Sequence, residues 1–339
     1  MLTTAYFISF LVAVAVLLFM VIYGEGYGIN HILLAVVIVI GNGGYLALSV
    51  SQNIQHALLA VMLTYTIGIF AAMLLFINIS EIYKVNLPNW LVCLMYIVQF
   101  VLYLASATIG TLDIFYKSAE LKYMDDVVYL QKEYGPVHTV YAITIYVYFI
   151  LLIACSTGVI KGKRKISSKD ATLIFFLEFI TISVYVAERL VGLRVELFPF
   201  VIDIAEILLL VPLTKLNTYT LTGNNEIVRS RLDAEGYVFF DKKLRFMGFN
   251  NKAAEFFPEL GEWELEKKIP GSGGRFNTFL RQPLYRFLES PVDENSFGIF
   301  DMRDVKLKFK IGVIKNRAGR KRGYIIELDE VRMRERDRQ

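Results

Sequence analysis

Glu178, Glu188, Arg189, Asp203 and Glu206 are ionisable residues set inside long apolar stretches of this 339-residue chain. A charged group in a membrane-depth segment costs about 2.5–3.5 kcal/mol on insertion scales, so such residues are retained for binding, pairing or proton and ion handling. Glu206 follows Asp203 by three positions, which places both carboxylates on one helix face. Glu188 and Arg189 lie about a turn inside the sixth stretch, with Glu178 deeper in it. Two arrangements account for the pattern. One is a polar pocket opening outward between the fifth, sixth and seventh stretches, with Arg189 offered to an anionic ligand. The other is an internal bridge from Arg189 to Asp203 or Glu188 that fixes helix packing. His138, just after Gly135-Pro136, is either a ligand contact, a sensor of external pH or an interfacial hydrogen-bonding residue. His56 reads as a helix-end residue and Gln99 as a hydrogen-bonder across helices. Asn42, among Gly41, Gly43 and Gly44, marks a close helix crossing or a break, because small residues let backbones approach.

The elements that must carry these residues are seven apolar stretches: Leu2–Ile22, Ile29–Val50, Ala57–Ile77, Trp90–Ile109, Val137–Gly158, Ala171–Val191 and Phe198–Leu213. Each is near the ~20 residues a helix needs to cross ~30 Å of hydrocarbon. Composition agrees, with 55% hydrophobic, 14% aromatic and 20% charged residues. The net charge of +4 follows from loop and tail charges, so no nucleic-acid partner is expected. Cys93 and Cys155 fall inside apolar stretches, which argues against a disulfide framework or a cysteine metal site. The first stretch lacks a basic leader and a following cleavage site, so it reads as an uncleaved helix.

Lys161, Lys163, Arg164, Lys165 and Lys169 form the strongest basic cluster in a short loop. Basic loops stay in the cytoplasm, which predicts an N-terminus outside and a C-terminus inside. The long fourth loop, Gly110–Pro136, has charges balanced in sign and alternates around Val127–Leu130. It is expected to be either a plain connector or a short hairpin capping the bundle.

After the seventh stretch, Lys215–Arg231 reads as a polar connecting helix or coil. From Leu232 the pattern becomes α+β. Tyr237–Phe240 and Leu244–Phe249 flank the turn Asp241-Lys242-Lys243, Asn250–Phe257 and Phe276–Glu289 read as helices, and Val305–Ile314 alternates apolar residues with lysines. Asn316–Gly319 then turns the chain into Gly323–Leu328. The expected fold is a membrane all-α seven-helix bundle (1–214), a connector (215–231), a cytosolic α+β domain (232–330) and a charged helix start (331–339).

The segment from Gly236 to Phe257, with Asn250/Asn251-Lys252-Ala253-Ala254, resembles a PAS domain, in which a short strand pair leads into Asn-x-Ala-Ala and a long antiparallel hairpin closes the sheet. Glu327-Leu328-Asp329-Glu330 stands at the usual exit without its threonine. The membrane half resembles the seven-helix region found ahead of bacterial histidine kinases and diguanylate cyclases. Gly43–Ser49, Leu63–Gly68, Lys84–Trp90 and Glu133–His138 carry that likeness. The resemblance implies a receptor in the bacterial cytoplasmic membrane that senses an extracellular or membrane-borne small ligand and passes the signal to an output module. Glu178, Glu188, Arg189, Asp203, Glu206 and His138 are the expected ligand contacts, and a homodimer through the connector and PAS-like domain is the expected assembly. No phosphoacceptor histidine motif is present. Gly273-Gly274-Arg275-Phe276 lacks the carboxylates of a cyclase signature, so no catalytic residue is expected. No cofactor is expected either: 232–330 contains no His or Cys, and the seventh stretch offers only Lys215, at its cytosolic end, for a retinal Schiff base. Phe239, Phe246, Phe256, Phe257 and Phe287 form a packed sheet core or line a small apolar pocket. The alternative function is a small-solute transporter with a regulatory tail, although no internal repeat is visible.

Overall fold

A computed structural model describes residues 2–23, 27–124, 127–161, 166–191, 196–219, 236–271, 273–290, 296–302, 305–315 and 319–331. It divides into two compact units, Met1–Thr214 and Lys215–Gln339. Most of the expected connector and charged helix start, 220–235 and 332–339, lies outside the described residues.

In the first unit each apolar run is one helix: α1 Leu2–Tyr23, α2 Ile29–Ser49, α3 Ile54–Ile82, α4 Asn89–Ser106, α5 Pro136–Lys161, α6 Ser168–Val191 and α7 Phe198–Thr218. Six of them, α1 to α6, are long and apolar enough to cross a bilayer, and the chain is accordingly a multi-pass membrane protein. The surface follows the same logic. Leu11 and Leu18 on α1, Phe100 and Val101 on α4, Ile150 on α5 and Phe179 on α6 are exposed, while Asn42, Asn78, Gln99 and Glu178 are buried. In hydrocarbon the apolar side chains face out and the polar ones must pair within.

Local signals set the helix starts. The Asn53 side chain accepts the His56 N–H at 2.9 Å and caps α3, so His56 is the helix-end residue expected. Pro136 opens α5, where its missing N–H costs nothing. The α3 helix extends five residues past the expected apolar run, and a π turn at Ile67–Ala71 interrupts it. Gly68 sits in that turn, where a Cβ would run into the Tyr141 hydroxyl. Gly44 brings α2 against α3: a Cβ there would stand 2.6 Å from the Thr64 nitrogen. The glycines around Asn42 therefore serve a helix crossing, and α2 is unbroken.

The loop before α5 is a hairpin. Strands β1 (Tyr116–Met124) and β2 (Val127–Tyr134) pair antiparallel, from Met124 opposite Val127 to Tyr116 opposite Tyr134. Its base is tied to α5 by bonds from Gly135 N to Phe115 O and Val137 N to Ile114 O.

The second unit is a five-stranded antiparallel sheet, β3 Gly236–Asp241, β4 Phe246–Phe249, β5 Phe297–Met302, β6 Val305–Lys315 and β7 Lys321–Glu330, in the order β4-β3-β7-β6-β5. Between β4 and β5 come α8 Asn251–Phe256, a 3-10 turn at Pro258–Gly261, α9 Arg275–Phe279 and α10 Arg281–Glu289. The single helix expected over Phe276–Glu289 is broken at Leu280. Restarting there puts Pro283 in a first turn, the one place its ring is tolerated. Asn250 accepts from Tyr237 N at 2.8 Å and Ala253 N at 3.1 Å, which ties strand to helix. Phe240, Phe246, Phe257 and Phe276 are buried in one core together with Phe256 and Phe287. Phe239 instead lies on the other face of the sheet, with Tyr237, Ile314 and Ile325. Alternation along β3 separates it from Phe240, so the five phenylalanines do not line one space. Gly274 precedes α9 with φ +80°, and Phe276 N donates to Glu259 at 2.6 Å, giving that Gly-Gly motif a turn's role.

Candidate functional site

The helical unit contains a cleft of about 610 Å³, open mouth included. Its walls come from Tyr45 of α2, Thr64 to Leu75 of α3, Tyr141 to Phe149 of α5, Thr181 to Glu188 of α6 and Phe198 of α7. The π turn is part of the wall. Such turns shift the side chains after them by about a residue, and they recur at functional sites. At the hairpin end Lys132 of β2 and Glu196, just before α7, join the lining.

That end is held by polar and aromatic contacts. Lys132 pairs with Glu196 at 3.3 Å, and the Tyr45 hydroxyl donates to the same carboxylate at 2.6 Å. The Tyr6 hydroxyl donates to the Glu196 carbonyl at 3.1 Å. The Tyr65 and Tyr116 hydroxyls bond at 2.6 Å, and burial holds the Tyr116 phenol well above the ordinary tyrosine range. It stays a neutral donor and acceptor at any working pH.

A second, apolar cavity, about 390 Å³ with its open mouth included, shares Leu75, Phe149 and Thr181 with the cleft and reaches Glu178, Ala205 and Leu209. Together they form a tapering space, polar at the hairpin end and apolar below. Pockets with this lining, mostly apolar with a few converging polar groups, hold small molecules.

The expected site residues whose side chains are described separate into four places. Glu188 lines the cleft, and its carboxylate accepts the backbone N–H groups of Leu197 and, at 2.8 Å, Phe198. It thus caps α7, satisfying donors that a helix start leaves open. Glu178 lines the lower cavity and accepts from Ser156 at 2.8 and 2.9 Å, while Ser156 lies 3.1 Å from the Tyr83 hydroxyl. Asp203 accepts from Ser9 at 2.5 Å and Asn42 at 2.7 Å, facing α1 and α2 and not α5 and α6. The described partners of Asp203 are thus neutral donors, and the alternative of an Arg189 bridge to Asp203 or Glu188 lies outside the described residues. Arg189 is on α6, and its side chain is outside the described residues. Glu206 lines neither cavity. His138 is buried in an aromatic nest, stacked on Tyr134 at 3.8 Å between ring centroids and edge-on to Tyr141 at 5.2 Å. It ties the hairpin to α5 and does not line the cleft. Gln99 is buried on α4 and interacts with the Tyr148 hydroxyl of α5, across helices.

Lys132 and Glu196 were not singled out by the sequence. The signal for Lys132 was the alternation Leu130-Lys132-Tyr134 on one face of a hairpin strand. Glu196 carried none, since an acid between two helices is ordinary. Among the described residues no cluster of His, Cys, Asp and Glu could hold a metal through three such ligands. No protein-family model and no curated protein sequence matches this chain.

Proposed function

We propose that this chain is a bacterial transmembrane receptor in the cytoplasmic membrane, with the hairpin end of the bundle outside and the sheet unit in the cytoplasm. The observation that carries the reading is the tapering space between α3, α5, α6 and α7, roofed by a hairpin that contributes Lys132. A polar mouth above an apolar interior suits an amphipathic, extracellular or membrane-borne small molecule. Under this reading α7 is a seventh span. Its two acids, Asp203 and Glu206, are buried within the bundle, and Pro212 lies near its end, where proline can kink a helix.

The second unit supports a PAS-like relay. A first strand pair leads through Asn250-capped α8 into further helices, and an antiparallel set, β5-β6-β7, closes the sheet beside β3. This is the arrangement that the resemblance requires. The unit would act as a homodimeric relay to an output module such as a histidine kinase or a diguanylate cyclase. Ligand can drive output only by its differential affinity for two states of the bundle. The α7 helix, which lines the cleft through Phe198 and is capped by Glu188 of α6, is the element placed to carry that difference.

The test is a chimera of this chain with a readable kinase, exposed to lipid and medium extracts. Dose-dependent output that Gly68→Val and Lys132→Ala abolish supports the reading. Ligand-independent output, together with solute flux when the purified protein is placed in liposomes, would make it a transporter.

A further inference from the structure

We propose that Ser9, Asn42, Asp203 and Glu206 form a buried site for one monovalent metal cation of the sodium class, between α1, α2 and α7 and apart from the ligand cleft. The cluster holds two carboxylates one helical turn apart, and no Lys, Arg or His among the described residues pairs with either. Asp203 is compensated in part, by the Ser9 hydroxyl at 2.5 Å and the Asn42 amide at 2.7 Å. Glu206 is not. It is 5% exposed, and among the described residues neither of its oxygens has a hydrogen-bond partner. Asn42 is 1% exposed, and its amide nitrogen reaches both Ser9 (3.0 Å) and Asp203. The oxygen of the same amide has no hydrogen-bond partner among the described residues.

Buried oxygens without donors are costly, and a buried carboxylate more so. Three readings of the gap differ in what they satisfy. A proton on Glu206 removes the charge, yet its O–H finds no acceptor within hydrogen-bond distance among the described residues. A water satisfies donors and acceptors but leaves the charge in hydrocarbon. A cation satisfies both, because every free group at the cluster is a hard oxygen: the Glu206 carboxylate, the Asn42 carbonyl and the lone pairs of Ser9. A single positive charge offsets that of Glu206, while the Ser9 and Asn42 donors stabilise the ionised form of Asp203.

The surroundings suit entry from the cleft. Tyr6, Tyr45 and Phe200 each lie three residues from a cluster member, on α1, α2 and α7, and stack at 5.8 and 5.3 Å. They form an aromatic layer one turn, about 4.5 Å, nearer the hairpin. Tyr45 is both part of that layer and part of the cleft wall, so an ion passing it enters the cluster. Bound there, the cation would cross-link α1, α2 and α7 and bias the bundle state that the ligand reads. The site itself stands whether the protein is a receptor or a transporter.

The purified full-length chain in detergent is melted in rising NaCl against N-methylglucamine chloride at constant ionic strength and pH, and ²³Na line widths are recorded in parallel. The proposal expects a saturable rise in melting midpoint with Na⁺ and a protein-dependent broadening of the ²³Na line. Asp203→Asn removes both, and the near-isosteric Glu206→Gln weakens the apparent affinity at least tenfold. Identical midpoints in the two salts and an unbroadened line for the wild type overturn it, whatever the variants do. So does a response kept undiminished in both variants, one seen only with Mg²⁺ or Ca²⁺, or one that follows pH alone, which would assign the cluster to a proton.

Discussion

Replacing Glu188 with alanine separates a ligand contact from a helix cap. The carboxylate accepts two backbone N–H groups, of Leu197 and Phe198, at the start of α7. Removing it leaves both donors open in a site where Glu188 is itself buried. Hydrogen bonds to charged groups contribute about 1.5–3 kcal/mol each, so two at the lower end give about 3 kcal/mol. At about 1.4 kcal/mol per tenfold, that is roughly a hundredfold in the folding equilibrium. Glu188→Gln keeps an acceptor oxygen and loses only the charge, which should cost about 1 kcal/mol. The assay is denaturant unfolding of the purified protein in micelles, followed by helical circular dichroism. The account predicts alanine far below glutamine and glutamine close to wild type. Alanine within about 0.5 kcal/mol of wild type would refute the capping role, since that is the scatter of ordinary surface substitutions.

Gly44→Ile should lower the melting midpoint of the helical unit, because overpacking against the Thr64 backbone costs about 1–3 kcal/mol or more; Gly44→Ala should be milder in the same melt. Phe240→Ala removes a fully buried ring from the sheet core and should cost about 3–5 kcal/mol, read as faster proteolysis of the sheet unit. Asn250→Ala loses its bonds to Tyr237 N and Ala253 N and should cost about 1–2 kcal/mol in the same proteolysis assay. Lys132→Ala breaks a partly exposed ion pair and should cost no more than about 1 kcal/mol in a low-salt melt, with the difference fading as salt rises.

The helices were legible because bilayer thickness imposes a length, and apolar runs such as Trp90–Ile109 carry it in one dimension. The sheet unit was legible because alternation at Val305–Ile314 and the Asp241 turn are local. The hairpin was only half visible: Tyr116–Met124 mixes charged and aromatic residues, and its pairing is fixed by ties to α5 that no short window contains. What the sequence concealed was direction. Asp203 and Glu188 were correctly marked as costly, but which helix each faces depends on rotation about the helix axis. Ser9, an ordinary serine in a run of apolar residues, donates to Asp203. The π turn at Ile67–Ala71 was hidden as well, since Gly68 within an apolar helix reads as packing until Tyr141 is placed against it.

The central claim, a ligand cleft facing the exterior above a sheet unit in the cytoplasm, is tested most directly by cysteine labelling of intact cells. Cys93 and Cys155 are first replaced by serine. Single cysteines are then placed at Ser118, exposed on the hairpin, and at Lys242, exposed in the β3–β4 turn. A membrane-impermeant maleimide should modify Ser118→Cys in intact cells and Lys242→Cys only after lysis. The reverse pattern, or equal labelling of both in intact cells, would contradict the account.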